Sequence, residues 1–197
     1  NISAEYLGPW LSRHLHSLRS FPDGVRNCYT LQSLVSGLKY LFRATFLYGN
    51  YDGLNQRPAS FDLYIGVNFW TVVNMSWWGS DSDQDNTAEV EAIVVVPHDL
   101  VQVCLVNTGG GTPFISGLEL RPLKMKFYPQ ANLTQGLLVE HRMNLGPADQ
   151  TNIIRLANLQ NISSCLIFSV SFPSLPLQST PIGELDSHKR DGSAGTP

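Results

Sequence analysis

A chain of 197 residues, 43% of them hydrophobic, is long enough to bury one substantial core, and domain-size statistics favour a single domain. Only 15% of the residues are charged and the formal net charge is -3, so the sequence lacks the basic surface that nucleic-acid-binding proteins use. No apolar run reaches the roughly 18 to 20 residues that a membrane span requires, so no span is predicted in this chain.

The segment from Pro9 to Ser20 is the first with a periodic pattern. Leu11, Leu15 and Leu18 recur at helical spacing, and Pro9 stands where proline suits the first turn of a helix. Local propensity therefore predicts a short helix here.

From Lys39 onward the apolar period becomes two, which is the period of a β-strand. Tyr40 to Tyr48 places every second side chain, all of them apolar or aromatic, on one face. Phe61 to Trp70 alternates in the same way and is rich in aromatic and β-branched residues. The same reasoning predicts further strands at Val90 to Val96, Leu100 to Val106 and Ile115 to Leu123.

Gly, Asn and Asp residues fill the stretches between these runs, and no helical pattern intervenes. This arrangement predicts an all-β fold, an antiparallel β-sandwich or jelly roll. After about Arg155 the sequence is Ser-rich without sustained periodicity, and Leu177 to Pro197 mixes Ser, Gly, Pro and charged residues. Such a composition buries too little apolar surface to offset the entropy of ordering, so residues 156–197 are predicted to form a divergent, disordered tail.

The sequence patterns of common enzymes and cofactor sites are missing. No GxSxG, HExxH or Walker lysine motif occurs, so the chain is predicted not to be an enzyme and to bind no cofactor. Gly109 to Gly111 follows a predicted strand, as a phosphate-binding loop would. Pro113 and a further strand come next instead of a helix, which favours a tight turn.

Two groups of residues have only part of the spacing of a metal site. Asp81, Asp83 and Asp85 match the first ligands of a calcium loop, yet the positions that need Gly and Glu hold Asn and Ala. His14 and His16 could share one strand face but have no third ligand nearby. A solvated acidic loop and surface histidines are the preferred interpretations, and no metal site is predicted.

Aromatic residues adjoin amides and acids in the loops that follow the first two predicted strands. Flat rings beside such groups suit a sugar, because the ring stacks on C–H faces while the polar groups bind hydroxyls. The alternative is that the rings cap the sandwich core and that Asp52 closes the turn. The candidate ligand-binding residues are Tyr48, Asn50, Tyr51, Asp52, Asn55, Trp77 and Trp78.

Four Asn-x-Ser/Thr sequons, at Asn1, Asn74, Asn132 and Asn161, point to a secretory protein, since N-glycans are added only there. A glycan needs solvent, so Asn74, Asn132 and Asn161 are predicted to mark surface turns or loops. The first residues show no secretory signal, which indicates either that a signal was removed or that the chain is an internal fragment.

Four long blocks resemble the plant malectin-like domain family. Residues 19–31, RSFPDGVRNCYTL, resemble its LRxFPxGxRNCYTL signature, and residues 40–55, YLFRATFLYGNYDGLN, resemble YLIRATFxYGNYDGLN. Residues 61–70, FDLYIGVNFW, are similar to FDLYLGVNxW, and residues 103–123, VCLVNTGGGTPFISGLELRPL, to VCLVNTGxGTPFISxLELRPL. The resemblance extends over roughly residues 1 to 155.

The resemblance implies a malectin-type sandwich from the ectodomain of a receptor-like kinase. Residues 1–135 would form the malectin-like lobe, residues 136–155 would begin a link to a second lobe, and Pro9 to Ser20 would be irregular or extended rather than helical. Three cysteines allow at most one internal disulfide. In an extracellular domain Cys28 and Cys104 are the candidates, with two separate buried thiols as the alternative.

The resemblance also implies extracellular ligand recognition. Animal malectin binds glucose-containing disaccharides through aromatic residues and an acid, whereas several plant members bind peptides or partner proteins. The expected partners are a carbohydrate or peptide at the cell surface and a partner receptor. The kinase and membrane span of family members are absent from this sequence, so a decoy or non-functional fragment without a ligand of its own is the alternative.

Overall fold

The structure, a computed structural model, describes residues 1–9, 11–53, 59–77, 87–144 and 165–171, with only the backbone of 141–144 and 165–171. Within these ranges no helix has the length and apolar character of a membrane span. Apart from two short 3-10 turns, Ala4–Tyr6 and Arg13–Leu15, the regular structure consists of strands. These are β1 Arg19–Ser20, β2 Arg26–Leu31, β3 Lys39–Leu47, β4 Ser60–Ile65, β5 Asn68–Asn74, β6 Thr87–Val95, β7 Val101–Gly110, β8 Phe114–Ile115, β9 Gly117–Leu123, β10 Leu137–Asn144 and β11 Cys165–Ser171.

Two antiparallel sheets form the fold. The five-stranded sheet has the order β11-β10-β6-β3-β9, the four-stranded sheet has the order β2-β7-β4-β5, and β1 pairs with β8. Buried side chains from both sheets belong to one core, among them Phe42, Ala44, Phe61, Leu63, Val103 and Leu105. The all-β sandwich predicted from the alternation is therefore confirmed.

Strand β3 is buried on both faces. Its even-numbered residues from Tyr40 to Phe46 enter the core between the sheets, as the alternation predicts. On the outward face, Leu47 packs against residues of the segment before β1, and Leu41 packs beneath residues of the loop after β9. Two irregular segments therefore cover the outer face of this sheet at its two ends.

Lys39, at the start of β3, is the most deeply buried charged side chain of the described residues, with 1% of its surface exposed. Its Nζ donates hydrogen bonds to the carbonyl oxygens of Phe127 at 2.6 Å, Tyr128 at 2.7 Å and Met125 at 3.3 Å. Burial lowers the pKa of its ammonium group. The lysine fastens the loop after β9 to the sheet, because its ammonium group donates to three backbone carbonyls of that loop.

The single strand predicted over Phe61 to Trp70 is wrong, because the chain reverses within it. Strand β4 ends at Ile65 and β5 begins at Asn68, and the two pair as an antiparallel hairpin. Gly66 stands at the reversal with a φ of 62°, a conformation that glycine adopts readily. The predicted strand over Ile115 to Leu123 is likewise divided, since Ser116 separates β8 from β9.

The helix predicted from local pattern over Pro9 to Ser20 is also wrong, and the extended or irregular segment that the resemblance implies is closer to the structure. The described part of this segment has a 3-10 turn at Arg13–Leu15 followed by β1. Leu11 and Leu15 are buried with Ile2 against Leu47. Their spacing therefore reflects packing on a sheet and not a continuous helical face.

The five-stranded sheet continues past residue 135, where the sequence analysis ends the lobe. Strand β10 pairs with β6 from Leu137 to Val139, so the first part of the predicted link belongs to the sheet. Strand β11 pairs along the whole of β10 and lies inside 156–197, so the disorder expected there does not extend to its backbone. Neither β10 nor β11 was predicted, because the alternation of apolar residues in these two segments is weak.

Cys28 and Cys104 lie directly opposite each other on β2 and β7 and form a disulfide. The bridge joins residues that are 76 positions apart in the sequence, with a Cα separation of 4.0 Å. It fixes β2 to β7, its only strand partner in this sheet among the described residues.

Candidate functional site

The sheet register brings several loops to one end of the sandwich, here called the loop end. Leu47, the last residue of β3, pairs with Thr87, the first residue of β6. In the other sheet, Ser60 at the start of β4 pairs with Asn74 at the end of β5 and with Gly110 at the end of β7. The described residues 48–53, 59, 75–77 and 111–116 therefore all lie at the loop end, and they include the candidate ligand-binding residues Tyr48, Asn50, Tyr51, Asp52 and Trp77.

Tyr48 lies in the core, as the alternative interpretation of the sequence holds. Only 5% of its surface is exposed, and its ring packs edge-on against Tyr51 with centroids 5.5 Å apart. Its hydroxyl donates a hydrogen bond to the carboxylate of Asp52, which closes the turn. The alternation of β3 already contained this signal, because Tyr48 continues the row of inward-facing residues.

Tyr51 occupies the boundary between core and surface. Its half-buried ring lies 5.6 Å from the ring of Phe114, which follows the glycine triplet. Burial raises the pKa of its hydroxyl, and the charge of Asp52 raises it further. The hydroxyl therefore stays protonated at neutral pH and can serve a ligand as donor or acceptor.

The segment before β1 supports the loop from below. The backbone N–H of Ser3 donates to the carbonyl oxygen of Gly49, and its hydroxyl donates to that of Asn50, both at 2.8 Å. Asn50 is buried with a φ of 47°, and its side-chain amide donates to Glu5 Oε1 at 3.4 Å. These contacts, which the sequence did not indicate, hold the first half of the loop in place.

Gly49 permits this close approach. A Cβ added there would come within 2.5 Å of the Ile2 side chain, and its φ is 51°. Gly53, four residues later, also has a positive φ of 70°, but an added Cβ would meet nothing within 4 Å. The two glycines share one conformation and differ in their surroundings.

A pair of variants separates conformational strain from the contact with Ile2. Gly53→Ala is expected to lower the free energy of unfolding by about 1 to 2 kcal/mol through strain alone. Gly49→Ala is expected to cost about 1 to 3 kcal/mol more, because Ile2 must move. Urea denaturation of both variants measures the difference. Equal losses would show that Ile2 does not pack against Gly49.

Trp77 and Asp52 are the candidate residues that the structure exposes at the loop end. Trp77 has 67% of its surface exposed and ends the turn after β5, where its N–H donates to the carbonyl oxygen of Asn74 at 3.0 Å. Asp52 is exposed beside Tyr51. Asn55 and Trp78 lie outside the described residues. An exposed indole and a carboxylate at one end of a rigid sandwich can supply an apolar face and a hydrogen-bond acceptor.

Metal ligands do not gather at this end or elsewhere in the described ranges, where no group of three or more His, Cys, Asp or Glu side chains could hold an ion. His14 is exposed and His16 is half-buried, with its ring nitrogen 3.4 Å from the carbonyl oxygen of Leu11. Asp81, Asp83 and Asp85 lie outside the described residues.

Comparison with known proteins finds a family model, described as Malectin-like domain, that matches residues 1–158. Two probable LRR receptor-like kinases of Arabidopsis thaliana are similar to the chain, one 49% identical over 135 residues and one 50% identical over 127. These alignments cover 68% and 64% of the chain. The chain spans only 14% of the length of each of these relatives.

Solved structures share the fold at low sequence identity. The ANX2 ectodomain from Arabidopsis thaliana superposes with a TM-score of 0.59 at 17% identity, covering 71% of this chain and 38% of that one. A structure of FER in complex with the plant peptide RALF23 and LLG2 gives a TM-score of 0.51 at 16% identity, covering 64% of this chain and 36% of that one.

Proposed function

This chain belongs to the malectin-like domain family, and on that premise we propose that it is an extracellular recognition module that binds a carbohydrate or a peptide at the loop end. The observation that carries the proposal is that Trp77 and Asp52 are each exposed at the end of the sandwich where the register of both sheets brings their loops. The proposed role is binding and not catalysis. The similarity of the chain to receptor-like kinases supports the proposal that it lies at the cell surface, as part of a membrane-anchored receptor.

Preorganisation supports binding at this end. Tyr48 and Asn50 hold the loop through core packing and through contacts to the segment before β1, so a ligand does not have to order them. Tyr51, Asp52 and Trp77 then provide the surface for contact. Asn55 and Trp78, which adjoin them in sequence, complete the proposed set of ligand-binding residues.

Both ligand classes suit these groups. A sugar ring can stack on the Trp77 indole while Asp52 and the Tyr51 hydroxyl bind its hydroxyl groups. A peptide can place an apolar side chain on the indole and a basic one beside Asp52. The complex of FER with RALF23 and LLG2 concerns a protein of the same fold, and it supports the peptide class and a partner receptor.

Titration of the full chain with short glucose oligomers and, separately, with RALF23 peptide tests the proposal by calorimetry. We expect one of the two to bind, and expect Trp77→Ala and Asp52→Asn each to weaken it by about tenfold, which corresponds to about 1.4 kcal/mol. Asp99→Asn is the matched control, since this exposed acid precedes β7 at the opposite end of the sheet.

The outcomes separate the alternatives. Binding that survives both loop-end variants would place the ligand site elsewhere on the domain. No binding of either probe would favour the decoy or non-functional fragment over a recognition module. A loss in the Asp99→Asn variant equal to that of Asp52→Asn would indicate general charge attraction, not a site at the loop end.

A further inference from the structure

Two sequons, at Asn74 and Asn132, have the same local structure although the first ends β5 and the second lies in the loop between β9 and β10. In each, the side-chain Oδ1 of the asparagine accepts hydrogen bonds from the backbone N–H and the hydroxyl of the residue two positions later. For Asn74 these distances to Ser76 are 3.0 and 2.6 Å. For Asn132 the distances to Thr134 are 2.9 and 2.8 Å.

Each asparagine is also the first residue of a tight turn. The N–H of Trp77 donates to the carbonyl oxygen of Asn74, and the N–H of Gln135 donates to that of Asn132. Asparagine favours this position because its side chain bonds to the backbone two residues on. From this shared geometry we infer that Asn74 and Asn132 are both N-glycosylated.

The chemistry of the modification fits these turns. A bond forms between Nδ2 of the asparagine and the anomeric carbon of a lipid-linked oligosaccharide diphosphate, the bond from that carbon to the diphosphate oxygen breaks, and Nδ2 loses one proton. The two hydrogen bonds in each turn go to Oδ1, so the transfer leaves both intact. Nδ2 of Asn132 also donates to the carbonyl oxygen of Gln130 at 3.3 Å, and the hydrogen that remains after transfer can keep that bond.

Solvent is available at both turns. Asn132, Leu133 and Thr134 are all exposed, and Leu133 has 54% of its surface accessible. Asn74 is partly exposed and ends β5, which is the last strand on its side of the sheet in the part of the chain that the structure describes. A bulky hydrophilic group at either position therefore projects away from the core.

The sequon at Asn1 differs. The N–H and hydroxyl of Ser3 are used by the carbonyl oxygens of Gly49 and Asn50, so they do not bond to the asparagine side chain. Asn161 lies outside the described residues and stays a prediction from sequence. The inference is restricted to Asn74 and Asn132, and it does not depend on the proposed ligand. A glycan on Asn74 would stand in the same turn as Trp77 and border the loop end.

Peptide mapping of the chain secreted from plant cells behind a cleavable leader tests the inference. Release of glycans by a peptide-N-glycosidase in water enriched in oxygen-18 converts each modified asparagine to a labelled aspartate, which mass spectrometry locates. We expect label at Asn74 and at Asn132. Unlabelled asparagine at either position in the secreted chain would overturn the inference for that site.

Hydroxyl variants provide an independent measurement with the asparagines in place. Ser76→Ala and Thr134→Ala should each lower the apparent mass by one glycan, whereas Thr134→Ser should keep it, because serine also completes a sequon. Ser17→Ala, an exposed serine outside any sequon, should change nothing. An unchanged mass for Ser76→Ala or Thr134→Ala would contradict modification at the corresponding asparagine.

Discussion

Replacing Cys28 and Cys104 together by alanine is expected to lower the free energy of unfolding by about 4.5 kcal/mol. The disulfide joins residues 76 positions apart, and the loss of loop-closure entropy in the unfolded chain gives this value for such a separation. In the folded protein, loss of the bridge should loosen mainly β2, an edge strand that the bridge holds to β7. Urea denaturation measured at equilibrium gives the difference in free energy.

The single variants provide the control. Cys28→Ala and Cys104→Ala should each cost nearly as much as the double variant, since either one removes the whole bridge. Peptide mapping of the unreduced protein by mass spectrometry should show the peptides that contain Cys28 and Cys104 joined by a disulfide. A double variant that loses less than about 1 kcal/mol, or free thiols at both positions, would contradict a stabilising disulfide.

Lys39→Met is expected to destabilise the chain by about 1 to 3 kcal/mol, the range found when buried hydrogen-bond acceptors lose their donor. Methionine fills a similar volume but leaves the carbonyl oxygens of Met125, Phe127 and Tyr128 without the donor they have now. Urea denaturation measures the loss. Hydrogen exchange should show faster opening of residues 124–131 than of the core strands.

Lys124→Met is the matched control, because Lys124 is an exposed lysine at the start of the same loop. Its effect should remain within about 0.5 kcal/mol, as is usual for surface substitutions. Equal stabilities of Lys39→Met and the wild type would mean that water replaces the ammonium group at the three carbonyls. Lys39 would then have no role in holding the loop.

The alternation of apolar residues made the core strands predictable. It did not predict the turns, because their positions depend on backbone conformation. The even-numbered residues from Tyr40 to Phe46 face inward as expected, because successive side chains of a strand point to opposite faces of its sheet. The hairpin at Gly66 was not predicted, because apolar residues alternate both before and after it in the sequence. A turn of this kind depends on a positive φ that a side-chain pattern does not record.

The loop after β3 was predictable from the sequence, but the contacts of its residues were not. Aromatic and polar residues after β3 indicated the loop, and the register places it at one end of the sandwich. The support from Ile2 and Ser3 depends on contacts across 47 residues of sequence, for which no local pattern exists. Lys39 was likewise unremarkable in sequence, because its partners are backbone carbonyls and not side chains.

The way the loop after β3 is supported has a consequence for its evolution. Positions 48 to 50 touch the core or the segment before β1, so a change there must be matched by changes at positions such as 2 and 3. Trp77 is exposed at the end of its turn, and the scaffold constrains its side chain far less. Asp52 and Gly53 are exposed too, but Asp52 accepts a hydrogen bond from Tyr48, and Gly53 has a φ of 70°. Relatives that diverge in ligand preference should therefore differ mainly at the counterpart of Trp77, while positions 48 to 50 should change only together with the residues that support them.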